Sequence, residues 1–104
     1  LELCMFDKPV INVGYNPPSV PDGELKYADY YEFDHYKPVV ESGAVKVAGS
    51  LEEMRLMIGN LLARPETDRK CRHELIEKMF GSTLDGNSGK RVAETLLNIA
   101  NRRN

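Results

Sequence analysis

Hydrophobic and polar positions along the chain predict two short strands with helical segments around them. Residues 10–13 form a β-branched run closed by a glycine, and residues 44–48 form a second run with a glycine on each side. Short apolar runs bounded by glycine are typical of buried strands. Residues 1–6 carry apolar side chains at helical spacing, and Pro9 cannot continue a helix. We therefore predict the end of a helix before the first strand.

The clearest local signal follows the second run, where a helix is predicted to begin at Ser50. Ser50-Leu51-Glu52-Glu53 has the pattern of a capping box, in which the serine accepts from the amide of Glu53 and the Glu53 carboxylate reaches back. Apolar residues then recur at helical spacing until Pro65 forces a stop. The face predicted to be buried consists of Leu51, Met54, Met57, Ile58, Leu61 and Leu62.

Two further helices complete a helical region over residues 50–104. One is predicted from Thr67 or Asp68 to Gly81, and the other from about Ser88 to the end of the chain. Ser88 or Asp85 is the expected cap of the last helix, an interpretation that we favour over a phosphate cradle in the turn before it. The residues predicted to be buried are Cys71, Leu75, Ile76 and Met79 in the first, and Val92, Ala93, Leu96, Leu97, Ile99 and Ala100 in the second.

Strand, connection, strand and then helices is the order of a parallel α/β protein. Two strands are too few for a complete parallel sheet, and chains seldom open in an apolar segment as residues 1–6 do. The sequence therefore predicts one partial domain over residues 1–104, with two parallel strands and about three to four helices. Because its sheet edges would be open, a homodimer or strand exchange is also expected.

The connection between the strands, residues 15–43, is long and rich in proline and tyrosine. Connections of more than about 12–15 residues are often functional, and ligands of open α/β sheets bind beyond the carboxyl ends of strands, where this one begins. Two interpretations stand. The segment either borders a binding site, or it is a surface excursion with tyrosine rings packed beneath it and a helical turn at residues 38–42.

Composition narrows the classes of function. A net charge of -2 and a pI near 5.7 argue against a nucleic-acid-binding protein. Basic residues gather at residues 64–72 and 102–103, as solvated helix faces or as patches for phosphate or anionic lipid. Cys4 and Cys71 lie too far apart to indicate a zinc site or a disulfide framework.

Buried or partly buried thiols in a reducing cytoplasm are therefore expected, with no metal and no cofactor. No apolar run approaches the roughly 20 residues that span a bilayer. We expect a cytoplasmic protein, and peripheral contact with the inner membrane remains open.

Six segments in this order give the chain a family resemblance, with Arg72 between the last two: residues 8–11, 35–40, 45–47, 50–54, 61–65 and 85–93. Together they resemble the C-terminal end of GT-B fold transferases, above all the CDP-glycerol glycerophosphotransferase-like group and neighbouring glycosyltransferases. The resemblance implies a Rossmann-like domain that holds the nucleotide of an activated donor. It also implies that an N-terminal domain and the catalytic residues lie upstream of Leu1.

Glu2, His35 and Tyr36 are the substrate-binding residues that we expect in such a domain. Glu2 falls where the resemblance places a ribose-binding glutamate, and a carboxylate suits two neighbouring hydroxyls. An imidazole at His35 is suited to neutralise a leaving phosphate or to exchange a proton. The alternatives are a solvated Glu2 at a frayed terminus and a hydrogen-bonded structural His35.

Three functions remain open at this point. The first is the donor-binding part of a transferase that uses a UDP-, CDP- or GDP-linked sugar or polyol phosphate in the synthesis of cell-surface polymers or glycolipids. On its own, that part is expected to be inactive. The second is a fragment of an enzyme like UDP-N-acetylglucosamine 2-epimerase, which shares the fold. The third is a non-catalytic interaction module that docks a partner through its tyrosine-rich segment.

Overall fold

A computed structural model of the chain describes residues 1–21 and 26–103 and shows an α/β arrangement of two parallel strands and several helices. Residues 22–25 of the predicted connection and Asn104 of the predicted helical region lie outside this description. The elements in chain order are α1 (Glu2–Met5), β1 (Ile11–Val13), a 3-10 helix (Tyr27–Glu32), α2 (Lys37–Glu41), β2 (Lys46–Ala48), α3 (Leu51–Ala63), α4 (Arg69–Phe80), a 3-10 helix (Gly81–Thr83) and α5 (Ser88–Arg102).

The described residues thus contain five α-helices, of which α1 and α2 are single turns. The predicted count of three to four is exceeded because α2 forms inside the connection of residues 15–43. A helical turn there belonged to the surface-excursion interpretation of this segment.

The two strands pair in parallel, as predicted. Their register is Ile11 with Lys46, Asn12 with Val47 and Val13 with Ala48. The amide of Gly14 donates to the carbonyl oxygen of Ala48 at 2.7 Å, which extends the pairing by one residue. A Cβ atom on Gly14 would lie 2.6 Å from Cγ1 of Val47, so only glycine permits this close approach of the strands.

A small core lies where α1, α2 and α4 meet the segment that leads into β2. Its buried members are Cys4, Val39, Ala44, Val45 and Leu75. α3 packs separately against both strands and buries Leu61. Two three-residue strands offer little surface, so most of the apolar area of the long helices finds no cover within residues 1–21 and 26–103.

Several predictions of buried helix faces are therefore wrong. In α3, Leu51, Ile58 and Leu62 are exposed, and in α4 the same holds for Met79. The whole predicted face of α5 is exposed, because no described element covers it. Helical periodicity located the helices correctly but could not supply the partners that a buried face requires.

The start of α3 follows the predicted capping box with one shift. Oγ of Ser50 accepts from the amide of Glu53 at 3.1 Å, as predicted. The Glu53 carboxylate reaches back to the amide of Gly49, at 2.7 Å, one residue before the cap. Both amides are thereby satisfied before the helical ladder begins.

A buried arginine joins the turn after α1, helix α4 and the loop between α3 and α4. Arg72 is only 1% exposed, and its Nε donates to Oδ1 of Asp7 at 3.0 Å. Its Nη1 donates to the carbonyl oxygen of Thr67 at 2.6 Å, and its Nη2 to that of Pro65 at 3.2 Å. The expectation of a solvated basic face over residues 64–72 is therefore wrong for Arg72, because a carboxylate and two carbonyls meet its guanidinium.

Asp7 adopts a left-handed conformation with φ +54, which aspartate tolerates better than most residues. Arg69 also donates to its carboxylate, through Nε at 2.6 Å. Partial removal from water raises the pKa of Asp7, but the hydrogen bonds from Arg72 and Arg69 outweigh this effect, so the pKa is lowered overall. His73, predicted to face solvent, is indeed exposed, with its Nε2 3.7 Å from Oδ1 of Asp7.

The start of α5 differs from both predicted caps. The helix begins at Ser88, and the residue before it, Asn87, makes no capping bond with its side chain. Oδ1 of Asp85 accepts from the amide of Asn87 at 2.9 Å and pairs with Nη1 of Arg91 at 2.9 Å. The amide of Asn87 and the Arg91 guanidinium lower the pKa of Asp85 to about 2, so this carboxylate holds the turn in its charged form.

We predict that Arg72→Met lowers the free energy of unfolding by about 3 kcal/mol. The variant removes one of the two arginines that pair with Asp7 and leaves the carbonyl oxygens of Thr67 and Pro65 without this donor. Urea unfolding followed by circular dichroism measures this loss. Lys70→Met is the control, since Lys70 lies two residues before Arg72 on α4 and its side chain is 87% exposed. Equal midpoints for the two variants would contradict a stabilising role for Arg72.

Candidate functional site

A groove lies at the carboxyl ends of β1 and β2, with a volume of about 440 Å³. We call it the strand-end groove and define it by the residues that line it: Gly14, Tyr15, Asn16, Pro17, Pro18, Val20, Pro21, Lys26, Ala28 and Gly49. All but Gly49 come from the end of β1 and the proline-rich segment after it. Open α/β sheets bind ligands at this position, beyond the carboxyl ends of adjacent strands.

Hydrogen bonds hold the segment that forms the wall of the groove. Oδ1 of Asn16 accepts from the amide of Tyr27 at 2.9 Å, which ties the end of β1 to the following 3-10 helix. The hydroxyl of Tyr15 donates to Sδ of Met54 on α3, at 3.7 Å. The two residues that follow Gly14 are therefore held by α3 and by the 3-10 helix.

The charges around the groove restrict what it can bind. Helix N-termini usually attract anions, but α3 begins with Glu52 and Glu53, and the Glu53 carboxylate already occupies the amide of Gly49. Lys26 supplies the cation among the residues that line the groove. A phosphate group in the groove would therefore depend on Lys26, with Tyr15 and the prolines offering apolar contact to a flat ring.

Glu2 lies in the first turn of α1, where its side chain is exposed. α1 packs against α4, and Glu2 is not among the described residues that line the strand-end groove. A hydrogen bond from its own backbone amide lowers the pKa of Glu2. Its predicted role in binding ribose stays a prediction.

His35 lies in the turn between the first 3-10 helix and α2, and its ring is exposed. Its ring centroid lies 6.0 Å from that of Phe33. His35 does not line the strand-end groove as the described residues form it. The structure therefore places Glu2 and His35 on separate elements and joins neither to the groove.

Tyr36 has a position that anchors the connection to the sheet. It is half-buried, and its hydroxyl donates to Oδ1 of Asn12 in β1 at 3.2 Å. Its ring centroid lies 5.7 Å from that of Tyr31, whose hydroxyl donates to the carbonyl oxygen of Val13. Two tyrosines thus attach the connection to β1 through hydrogen bonds, which supports a structural role for Tyr36.

Asn12 was not singled out from the sequence. Its Nδ2 atom is buried and has no hydrogen-bond partner among the described residues. The signal was present, because an asparagine in the middle of a β-branched run requires a polar partner in a folded sheet. The hydroxyl of Tyr36, in the connection, donates to the oxygen of that amide.

The described residues contain no group of three or more histidine, cysteine, aspartate or glutamate side chains that could hold a metal ion. Cys4 is buried and Cys71 half-buried, which confirms the predicted burial of the thiols. Over the same described part, none of the helices has both the length and the apolar character needed to cross a membrane.

Comparison of the chain with protein-family models, with curated proteins and with solved structures gives no match. The resemblance to GT-B fold transferases accordingly stays a prediction. The function proposed below starts from the strand-end groove and its lining residues.

We predict that Tyr36→Phe lowers the free energy of unfolding by about 1 kcal/mol, the net value of one hydrogen bond whose buried partner is then left unmet. Chemical denaturation followed by tyrosine fluorescence measures the change. Tyr30→Phe is the control, since Tyr30 is exposed and packs only edge-to-face on Phe33 among the aromatic pairs described. If Tyr36→Phe is as stable as the parent chain, Tyr36 does not anchor the connection.

Proposed function

We propose that the strand-end groove binds the nucleotide of an activated donor and that the chain is the donor-binding part of a GT-B type transferase. The donor would be a UDP-, CDP- or GDP-linked sugar or polyol phosphate used in cell-surface polymer or glycolipid synthesis. The observation that carries this proposal is the place of the groove, at the carboxyl ends of two adjacent parallel strands.

The residues in the groove suit the parts of a nucleotide. The ammonium of Lys26 offers a point charge and three donors to a phosphate, and the ring of Tyr15 offers a face to a base. The volume of about 440 Å³ falls within the usual range of small-molecule sites, roughly 300–1,000 Å³. A nucleoside monophosphate or diphosphate is of suitable size for such a groove.

Transfer from such a donor requires more positive charge than the groove supplies. The departing diphosphate must be stabilised as its charge develops. Lys26 is the one cation among the described lining residues, and α3 begins with Glu52 and Glu53 just after the lining residue Gly49. The proposal therefore assigns binding to this chain and catalysis to groups contributed by a second domain. The predicted donor contacts of Glu2 and His35 stay separate predictions, since neither residue lines the described groove.

Titration calorimetry with UDP, CDP and GDP tests the proposal. One nucleotide should bind in preference to the other two, and Lys26→Glu should weaken its binding by about tenfold or more, because a charge-assisted contact becomes repulsive. Lys70→Glu makes the same change on the exposed side of α4 and should leave binding within about twofold, as expected for a screened surface charge.

Absence of binding by all three nucleotides would contradict the proposal. Equal losses for Lys26→Glu and Lys70→Glu would also contradict it, since they would show a general charge effect. Glu2→Ala and His35→Ala, titrated alongside, separate the sites: a loss confined to these two variants would place the donor away from the strand-end groove.

A further inference from the structure

α5 carries an apolar face that the described chain leaves open. Every residue of the helix except Arg91 is exposed, and Leu96 and Leu97 retain 62% and 63% of their accessible area. At ~100° per residue, the apolar residues cover an arc of about 160°. They are Val92, Ala93, Leu96, Leu97, Ile99 and Ala100.

The charge of this helix is opposite to that of the remaining chain. Residues 88–103 hold four basic residues and one acidic residue, a net charge of +3. The rest of the chain holds ten basic and fifteen acidic residues, a net charge of -5. The basic residues of α5 lie where they can flank its apolar arc, with Lys90 at one border and Arg102 on the opposite side.

A second copy of the chain is a poor partner for this face. In a parallel pair of α5 helices, each basic residue lies beside its own copy. In an antiparallel pair that crosses at Leu96, Lys90 of one helix meets Arg102 of the other. Like charges are brought together in both arrangements. Glu94 pairs with Lys90 of its own helix at 3.9 Å, and residues 88–103 hold no second acidic residue to offset Arg102 and Arg103.

We propose that α5 lies in the surface of an anionic lipid bilayer, with its apolar face among the acyl chains. A wide apolar arc, basic residues at its borders and low overall hydrophobicity are the features of interfacial helices. Long arginine and lysine side chains can keep their charges at the headgroups while their aliphatic stems lie among the acyl chains. Arg103, which lies within the arc at the helix end, can extend in this way. The inference does not depend on nucleotide binding by the strand-end groove.

The helix also has a fixed starting point. Arg91 pairs with Asp85 through Nη1, 2.9 Å from both carboxylate oxygens, and its Nη2 donates to the carbonyl oxygen of Thr83 at 2.8 Å. These contacts hold the first turn of α5 against the preceding turn without covering Val92 or Leu96. The apolar face is thus formed before any bilayer is present.

A single tryptophan reports the depth of the helix, because the chain contains none. Leu96→Trp places the reporter within the apolar arc, and Asn98→Trp places it on the polar side. With vesicles of phosphatidylcholine and phosphatidylglycerol, Leu96→Trp should shift its emission to shorter wavelength, whereas Asn98→Trp should remain water-like. Both should remain water-like with phosphatidylcholine alone.

Vesicle flotation of the full 104-residue chain measures the affinity. Combined Leu96→Glu and Leu97→Glu should reduce binding by more than tenfold. Combined Leu56→Glu and Leu62→Glu is the matched control on α3, where these leucines are 70% and 78% exposed, and it should leave binding unchanged. Lys90→Gln or Arg102→Gln should weaken binding by about fivefold each, the contribution of one basic residue near an anionic surface.

Three results would overturn the proposal. Emission of Leu96→Trp that is already blue-shifted without vesicles would show that protein covers this face. Equal loss of flotation in the α3 and α5 variants would show that binding is not localised to α5. No flotation of the parent chain with anionic vesicles would exclude a bilayer as the partner. Circular dichroism of every variant establishes that its helices are retained.

Discussion

The ion pair between Arg72 and Asp7 is the interaction on which the arrangement of α1, α4 and the α3–α4 loop depends. Each of the three guanidinium nitrogens of Arg72 donates a hydrogen bond, Nε to Asp7 and the other two to the carbonyl oxygens of Thr67 and Pro65. Asp68, beside that loop, pairs with Lys46 at the start of β2, at 2.7 Å. The core is too small to fix the helices by apolar burial alone, so directed polar contacts set their positions.

The strand-end groove depends on a second constraint, the close approach of β1 and β2 at Gly14. That approach lets the two strands end together and turns the chain into the proline-rich segment that forms the groove wall. Further along the same connection, the hydroxyls of Tyr31 and Tyr36 bond to β1. The described part of the connection is therefore a packed excursion that also lines a groove. That residues 15–43 border a binding site stays a prediction.

Much of the secondary structure could be predicted because its signals are local. Ser50 and Glu53, Pro65, Gly81 and the glycines around the strands act within a few residues of themselves. Burial depends on partners far along the chain. For this reason the predicted burial of Met79 and of the α5 face is wrong, and the burial of Arg72 was not predicted. The candidate site shifted for the same reason. The resemblance singled out Glu2, and the chemistry of an imidazole singled out His35. The groove is instead lined by Gly14, Tyr15 and Lys26, and the sequence indicated only that the segment after the first strand could border a site.

The central claim is that ligands bind at the carboxyl ends of β1 and β2. Mapping of backbone amide shifts by NMR, with the tightest-binding of UDP, CDP and GDP added in steps, tests it most directly. The account predicts that the amides of Gly14, Tyr15, Asn16, Lys26 and Gly49 shift together, while those of Glu2 and His35 remain in place. Shifts that centre on Glu2 and His35, or that spread evenly over the chain, would contradict it.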